Sequence, residues 1–278
     1  MSYESMGPLA LNYAPCYYGT SRIAFRGPAR RLDAPYVAFV GGTETYGKFI
    51  KAPFPALVES DIGINCVNFG VANAGLDVFV NDGFVLDAAR DAKAAVMQVV
   101  GAHNMSNRFY TVHPRRNDRF VNASPILASI YPEIDFAEFN FTKHLLSALY
   151  QASQERFSIV RRELQIAWVS RMKMLFRRIE NQVILLWFSD HPPHDDDHDQ
   201  GDPAHAEDPL FVTRQMLGGL SDQTAGYVEV IASAEALAAG THGMVFNDLE
   251  AQAATRLMGP KAHGEAARAL GPVLHRLA

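Results

Sequence analysis

Five short apolar runs constrain this chain more than any other feature: Tyr36 to Val40, Asn65 to Phe69, Ala95 to Val100, Gln182 to Phe188 and Tyr227 to Ile231. Each is rich in β-branched or aromatic residues and apolar on both faces, so they read as buried parallel strands. Helical patterns separate them, as strands joined by crossovers require. The expected fold is a three-layer α/β/α domain around a doubly wound, mainly parallel five-stranded sheet. A short helix is predicted at Pro55 to Ser60, and a crossover helix at Val78 to Lys93. From Glu155 to Glu180, Phe157, Val160, Leu164, Trp168, Leu175 and Ile179 recur at helical spacing, with Arg161, Arg162, Arg171, Lys173, Arg177 and Arg178 among them. A preceding helix at Asp135 to Gln151 makes this connection long, which predicts a helical insertion at about 120–180, before strand four. Ala262, Ala266, Leu270 and Leu274 mark a closing helix over Pro260 to Ala278. Residues 1–34 are expected to pack as an extension on a single domain spanning 35–278.

A chain of 278 residues, 48% hydrophobic, has ample material for a core. A formal charge of −5 argues against a general nucleic-acid binder, which needs surplus Lys and Arg to neutralise phosphates. No basic segment leads into an apolar run, and no stretch nears 18 apolar residues, so neither a signal peptide nor a membrane span is expected and the expected compartment is the cytoplasm. Cys16 and Cys66 are too few for a disulfide framework and read as reduced, packed thiols.

In open α/β sheets the chemistry lies beyond the carboxyl ends of the strands. After strand one comes Gly41-Gly42-Thr43-Glu44-Thr45-Tyr46-Gly47, after strand two Asn68-Phe69-Gly70, and after strand three Gly101-Ala102-His103-Asn104. Near the C-terminus stands Gly259-Pro260-Lys261-Ala262-His263-Gly264. These segments resemble the GDSxTxG, glycine, GxND and post-DxxH blocks of the SGNH (GDSL-like) hydrolases. The chain is also similar to an alphaproteobacterial domain-of-unknown-function family of similar length.

The SGNH resemblance implies a flavodoxin-like sheet, with Thr43 in the place of the serine nucleophile and Gly70 and Asn104 as oxyanion donors. It also puts Gly42 in the place of the block's Asp, and Ala254 and Leu257 where the Asp and His of DxxH belong. Neither of the last two moves a proton. Two histidines are candidates for a relocated base: His103, and His205, which forms DxxH spacing with Asp202. His263 matches a non-catalytic histidine. The residues also allow plainer roles: Thr43 or Thr45 capping the next helix, and His103 or Asn104 anchoring a loop.

Arg115, Arg116 and Arg119 gather guanidinium groups suited to sulfate, phosphate or carboxylate, unless Glu133 and Asp135 pair with them. Asp190 to Asp208 holds four His, eight acids and no Lys or Arg, and reads as a loop. Within it, His194 and His198 have metal-chelating spacing only if helical, which Pro192 and Pro193 disfavour. No cofactor is implied. The leading expectation is an SGNH-like cleft that binds a small anionic or carbohydrate ligand. The alternatives are an ester hydrolase or acyltransferase using Thr43, and a structural or assembly protein whose basic helix and acidic loop dock a protein partner or another copy.

Overall fold

A computed structural model describes residues 11–180, 182–195 and 200–277. Its central sheet contains β1 (Tyr36–Gly41), β2 (Asn65–Gly70), β3 (Ala94–Gln98), β6 (Val183–Ser189) and β7 (Gly226–Ile231). All neighbours pair in parallel, in the order β2-β1-β3-β6-β7. Counting only these five strands, this is the 2-1-3-4-5 order of one common doubly wound class, which reverses direction between the first and third strands.

Strand alternation sends successive side chains to opposite faces. Along β1, Tyr36, Ala38 and Val40 enter one core while Val37 and Phe39 enter the other. The first core is covered by α3 (Leu76–Val80), α4 (Gly83–Asp91), α6 (Thr142–Ala152) and α7 (Gln154–Ile179). The second is covered by α2 (Phe54–Ile62) and α11 (Pro260–Leu277). The domain is therefore α/β with helices on both faces of the sheet.

Helix α7 buries the apolar stripe read from its sequence, and Ser153 caps it by accepting the Arg156 N–H. Trp168 is fully buried, and its indole N–H donates to Val100 O at 2.8 Å, fixing the helix against the end of β3. Truncating such a side chain to alanine costs about 3–5 kcal/mol.

Three segments differ from the sequence reading. The helix expected over 78–93 is two helices, because the Asp82 carboxylate accepts the Val85 N–H and starts α4 afresh. The helix expected from Asp135 begins only at Thr142. There the Asp135 carboxylate takes the Ala137 N–H and closes a short 3-10 turn, and Phe141 bridges to Arg119 in extended conformation. The third is the region around Arg115, where two strands outside the five expected ones, β4 (Tyr110–His113) and β5 (Arg116–Ala123), form an antiparallel hairpin. Its register shifts twice, so no clean alternation announces it in the sequence. The insertion before the fourth parallel strand is thus part hairpin and part helix.

Phe25, on the segment before β1, is fully buried and packs edge-on against Phe69. Neighbouring Arg26 is also buried and donates to the carbonyls of Tyr46, Gly47, Ile50 and Lys51, tying this segment to the turn after β1. Cys16 and Cys66 are both free thiols, and burial pushes the pKa of each up. Among the described residues, no helix is long and apolar enough to cross a membrane.

Candidate functional site

The crevice between the ends of β1 and β3 is where a doubly wound sheet normally receives a ligand. Here a side chain of the protein fills it. Gln98, the last residue of β3, uses one oxygen to accept three donors: Gly42 N at 3.0 Å, Thr45 N at 3.1 Å and Thr45 Oγ1 at 2.6 Å. A Cβ on Gly41 would lie 2.2 Å from Thr45 Oγ1 and 2.6 Å from Gln98 Cβ, so only glycine lets the strand end approach this closely. The turn continues as a single helical turn, α1 (Thr43–Tyr46), closed by Gly47 in the left-handed region.

Neither threonine caps α1. Thr45 serves Gln98. The Thr43 hydroxyl accepts the Asn73 N–H at 2.9 Å and lies 3.4 Å from Asn73 Oδ1. Its partners among the described residues are thus both on Asn73, and neither His103 nor His205 reaches it. Gly70 is likewise engaged, because its N–H donates to Asn68 Oδ1 at 2.8 Å while Asn68 Nδ2 donates to Thr45 O at 2.7 Å. A Cβ at Gly70 would stand 2.2 Å from Tyr46 N, so this glycine permits two backbones to meet. Asn104 is buried. Its oxygen accepts Thr142 Oγ1 at 2.5 Å, and its amide donates to Asn73 O at 3.4 Å.

The ends of β3 and β6 are organised differently. His103 is buried and its Nδ1 has no hydrogen-bond partner. Burial pushes its pKa down to about 4, with Asp208 pulling the other way and Lys143 adding to the fall, so the ring is neutral at physiological pH. Lys143 and Asp208 form an ion pair at 2.6 Å. His205 is exposed, and the Asp202 carboxylate takes Ala204 N and Gln151 Nε2, both at 2.9 Å. The acid of that DxxH pair therefore fixes its own loop to α6. His194 stacks on His191 at 4.6 Å between ring centroids, whereas His198 lies outside the described residues.

The three arginines do not share one site. Arg115 lines an open cleft of about 600 Å³ together with Arg22, Asn81, Asp82, Phe84 and Asp87. Arg116 and Arg119 do not line it; the Arg119 guanidinium sits 4.0 Å from the centre of the Phe141 ring. Glu133 and Asp135 are engaged elsewhere, Glu133 with Arg156 and Asp135 with its own turn. Among the described residues no ion pair joins Arg22 or Arg115 to a carboxylate. Of the cleft's acids, Asp82 holds Ser21 Oγ and Val85 N, and Asp87 pairs with Arg90.

A family model, Domain of unknown function (DUF6473), matches residues 1–278. The chain belongs to that family. No curated protein matches it in sequence. Among solved structures, one described as "BT4096 a gut microbial diltiazem-metabolizing enzyme" is similar with a TM-score of 0.34 and 11% identity. The likeness covers 85% of this chain but 46% of that one, so the chain spans less than half of that protein's length.

In this DUF6473 chain the sequence reading missed two residues that build the site, Gln98 and Glu44. The side chain of His263 is fully buried, between Phe54 and Phe188, and its Nδ1 accepts the Phe54 N–H at 3.1 Å. Its other nitrogen must then carry the proton, and it faces Glu44 Oε2 at 3.4 Å. Glu44 Oε1 in turn accepts Met258 N at 3.2 Å. The histidine of the closing helix thus clamps α11 to the turn after β1. The signal was present in the sequence as Glu44 beside Thr43, but an acid in that block does not name its partner 219 positions on.

Proposed function

We propose that this protein binds a small anionic carbohydrate and has given up the proton-transfer chemistry of the SGNH-like hydrolases that its turns resemble. The observation that carries this reading is the pair Arg22 and Arg115, which line the cleft without a carboxylate partner among the described residues. Guanidinium forks suit the carboxylate, sulfate or phosphate of such a sugar. Asn81 and Asp87 offer partners for hydroxyls, and Phe84 offers an apolar surface for a ring face.

The turn geometry supports the loss of hydrolysis. An acyl-transfer site needs free N–H donors aimed at the developing oxyanion and a base within hydrogen-bond reach of the nucleophile. Gly42 and Gly70 already give their N–H groups to Gln98 and Asn68, and Thr43 has no histidine partner among the described residues.

Thermal unfolding in the presence of uronates, sugar sulfates and sugar phosphates, each beside its neutral parent sugar, tests the proposal. At about one hundred times Kd a true ligand raises Tm by on the order of 5 °C for a chain of this size. The rise should disappear in Arg115→Ala and in Arg22→Ala. Equal shifts with neutral sugars, or shifts that survive both substitutions, sink the idea.

A further inference from the structure

The loop after β6 holds a second set of groups, separate from the arginine cleft. As the chain leaves the strand, the Trp187 indole donates to His191 O at 2.8 Å. His191 Nδ1 lies 2.8 Å from Pro192 O. A carbonyl only accepts, so Nδ1 carries the proton, and in the neutral ring Nε2 presents a lone pair. That Nε2 is buried and has no hydrogen-bond partner. It faces Glu207 Oε2 at 3.7 Å, with Asp190 Oδ1 at 4.0 Å.

A buried lone pair facing a carboxylate oxygen is unfavourable unless something positive lies between them, although Glu207 itself is open to water. The separation exceeds hydrogen-bond reach, but it suits a cation about 2.0–2.1 Å from each atom. His194 brings a second imidazole, its ring 21° from parallel with His191, and its Nε2 is 4.0 Å from the same Glu207 oxygen. The three ligand atoms lie within 4.8 Å of one another. Neighbouring donors in a tetrahedral site with such bonds are ~3.4 Å apart, so holding the ion requires the His194 ring to turn out of its stack on His191 and the donors to close by up to ~1.4 Å.

Both arms of the cluster are anchored. Arg214 N donates to His194 O at 2.9 Å, and Ser189 Oγ donates to the carbonyl of Asp208, next to Glu207, at 2.8 Å. A backbone carbonyl on the far nitrogen of a histidine is the usual outer support of a metal ligand, because it fixes tautomer and ring orientation. Two imidazoles with one carboxylate suit zinc and its neighbours, whereas calcium and magnesium favour all-oxygen sites.

We propose that His191, His194 and Glu207 bind one divalent transition-metal ion of the zinc class, leaving one coordination position for water or an oxygen ligand. The test uses the full chain without a histidine tag, stripped with a chelator and titrated with Zn²⁺ against a chromophoric competitor. Wild type should take up one Zn²⁺ per chain, with a rise in Tm. His191→Ala and Glu207→Gln should each weaken binding about tenfold or more, and His198→Ala should leave it unchanged. Glu207 is exposed, so Glu207→Gln should keep the wild-type circular dichroism and decides the matter if His191→Ala does not fold. The proposal fails if wild type takes up no stoichiometric Zn²⁺, if uptake survives Glu207→Gln, or if His198→Ala abolishes it.

Discussion

The sheet's carboxyl edge has two halves that treat polar groups in opposite ways. At the ends of β1 and β2, the donors of Gly42, Thr45 and Gly70 and the hydroxyl of Thr43 all meet a partner within the protein. At the ends of β3 and β6, His103 Nδ1 and His191 Nε2 are buried without one; the remaining atom of this kind among the described residues, His263 Nε2, faces the Glu44 carboxylate beside the first half at 3.4 Å. Buried polar groups are nearly always satisfied, so an orphan is where to look for a missing partner. A satisfied network, by contrast, is a piece of architecture. Thr43 and Gly70, which stand in the places of the nucleophile and an oxyanion donor, lie in the half that is already closed.

The largest effect should follow from opening the closed half. Gln98→Leu removes one acceptor from three donors, and each stranded buried donor costs about 1–3 kcal/mol. Unfolding in urea should show a loss of about 3–9 kcal/mol without a change in slope. A loss under about 1 kcal/mol means that water enters the crevice and satisfies those groups, and the contrast between the halves dissolves.

In the open half the corresponding measurement is a pH profile. His103 binds its proton near pH 4 in the folded chain and near 6.5 when unfolded. Between these values the unfolded state holds more protons, so stability rises with pH there and falls as pH drops from 6.5 to 4. A shift of that size corresponds to about 3 kcal/mol for this one group. The stability difference between wild type and His103→Gln should change by that amount across the window, and ring resonances followed by NMR should stay those of the neutral form until about pH 4. A midpoint near 6.5 would place the ring in water.

The sheet was legible in the sequence because burial on both faces forces continuous apolar runs, which Val183–Ser189 and Tyr36–Gly41 display openly. The long helix was legible for the same reason, since its buried stripe through Phe157, Val160, Leu164 and Trp168 repeats at 3.6 residues. The hairpin was not, because β5 runs Arg-Asn-Asp-Arg before its first buried aromatic and is held by side chains rather than by alternation. Asn117, for example, accepts Gly75 N and Val78 N and donates to His113 O. At the candidate site the sequence displayed the glycine turns but not their hydrogen bonds. Which N–H of a glycine turn is free depends on Gln98 and Asn68, and nothing in a sequence pattern says where an amide side chain from another strand will point.

The smallest effect separates two threonines that stand two positions apart. Thr45 is buried, and its hydroxyl donates to Gln98 at 2.6 Å, whereas Thr43 is half-exposed and, among the described residues, its hydroxyl meets only Asn73. Thr45→Val should therefore cost about 1–2 kcal/mol and Thr43→Val at most about 0.5 kcal/mol, because water replaces an exposed partner at little cost. The same pair reports on chemistry. If Thr43 is architecture, Thr43→Val leaves any hydrolysis of acetylated sugars where wild type has it, and only Thr45→Val alters the protein, through stability. A rate that collapses in Thr43→Val while Tm stays put would make Thr43 a nucleophile after all. Its base would then have to come from a conformation in which Asn73 releases the hydroxyl.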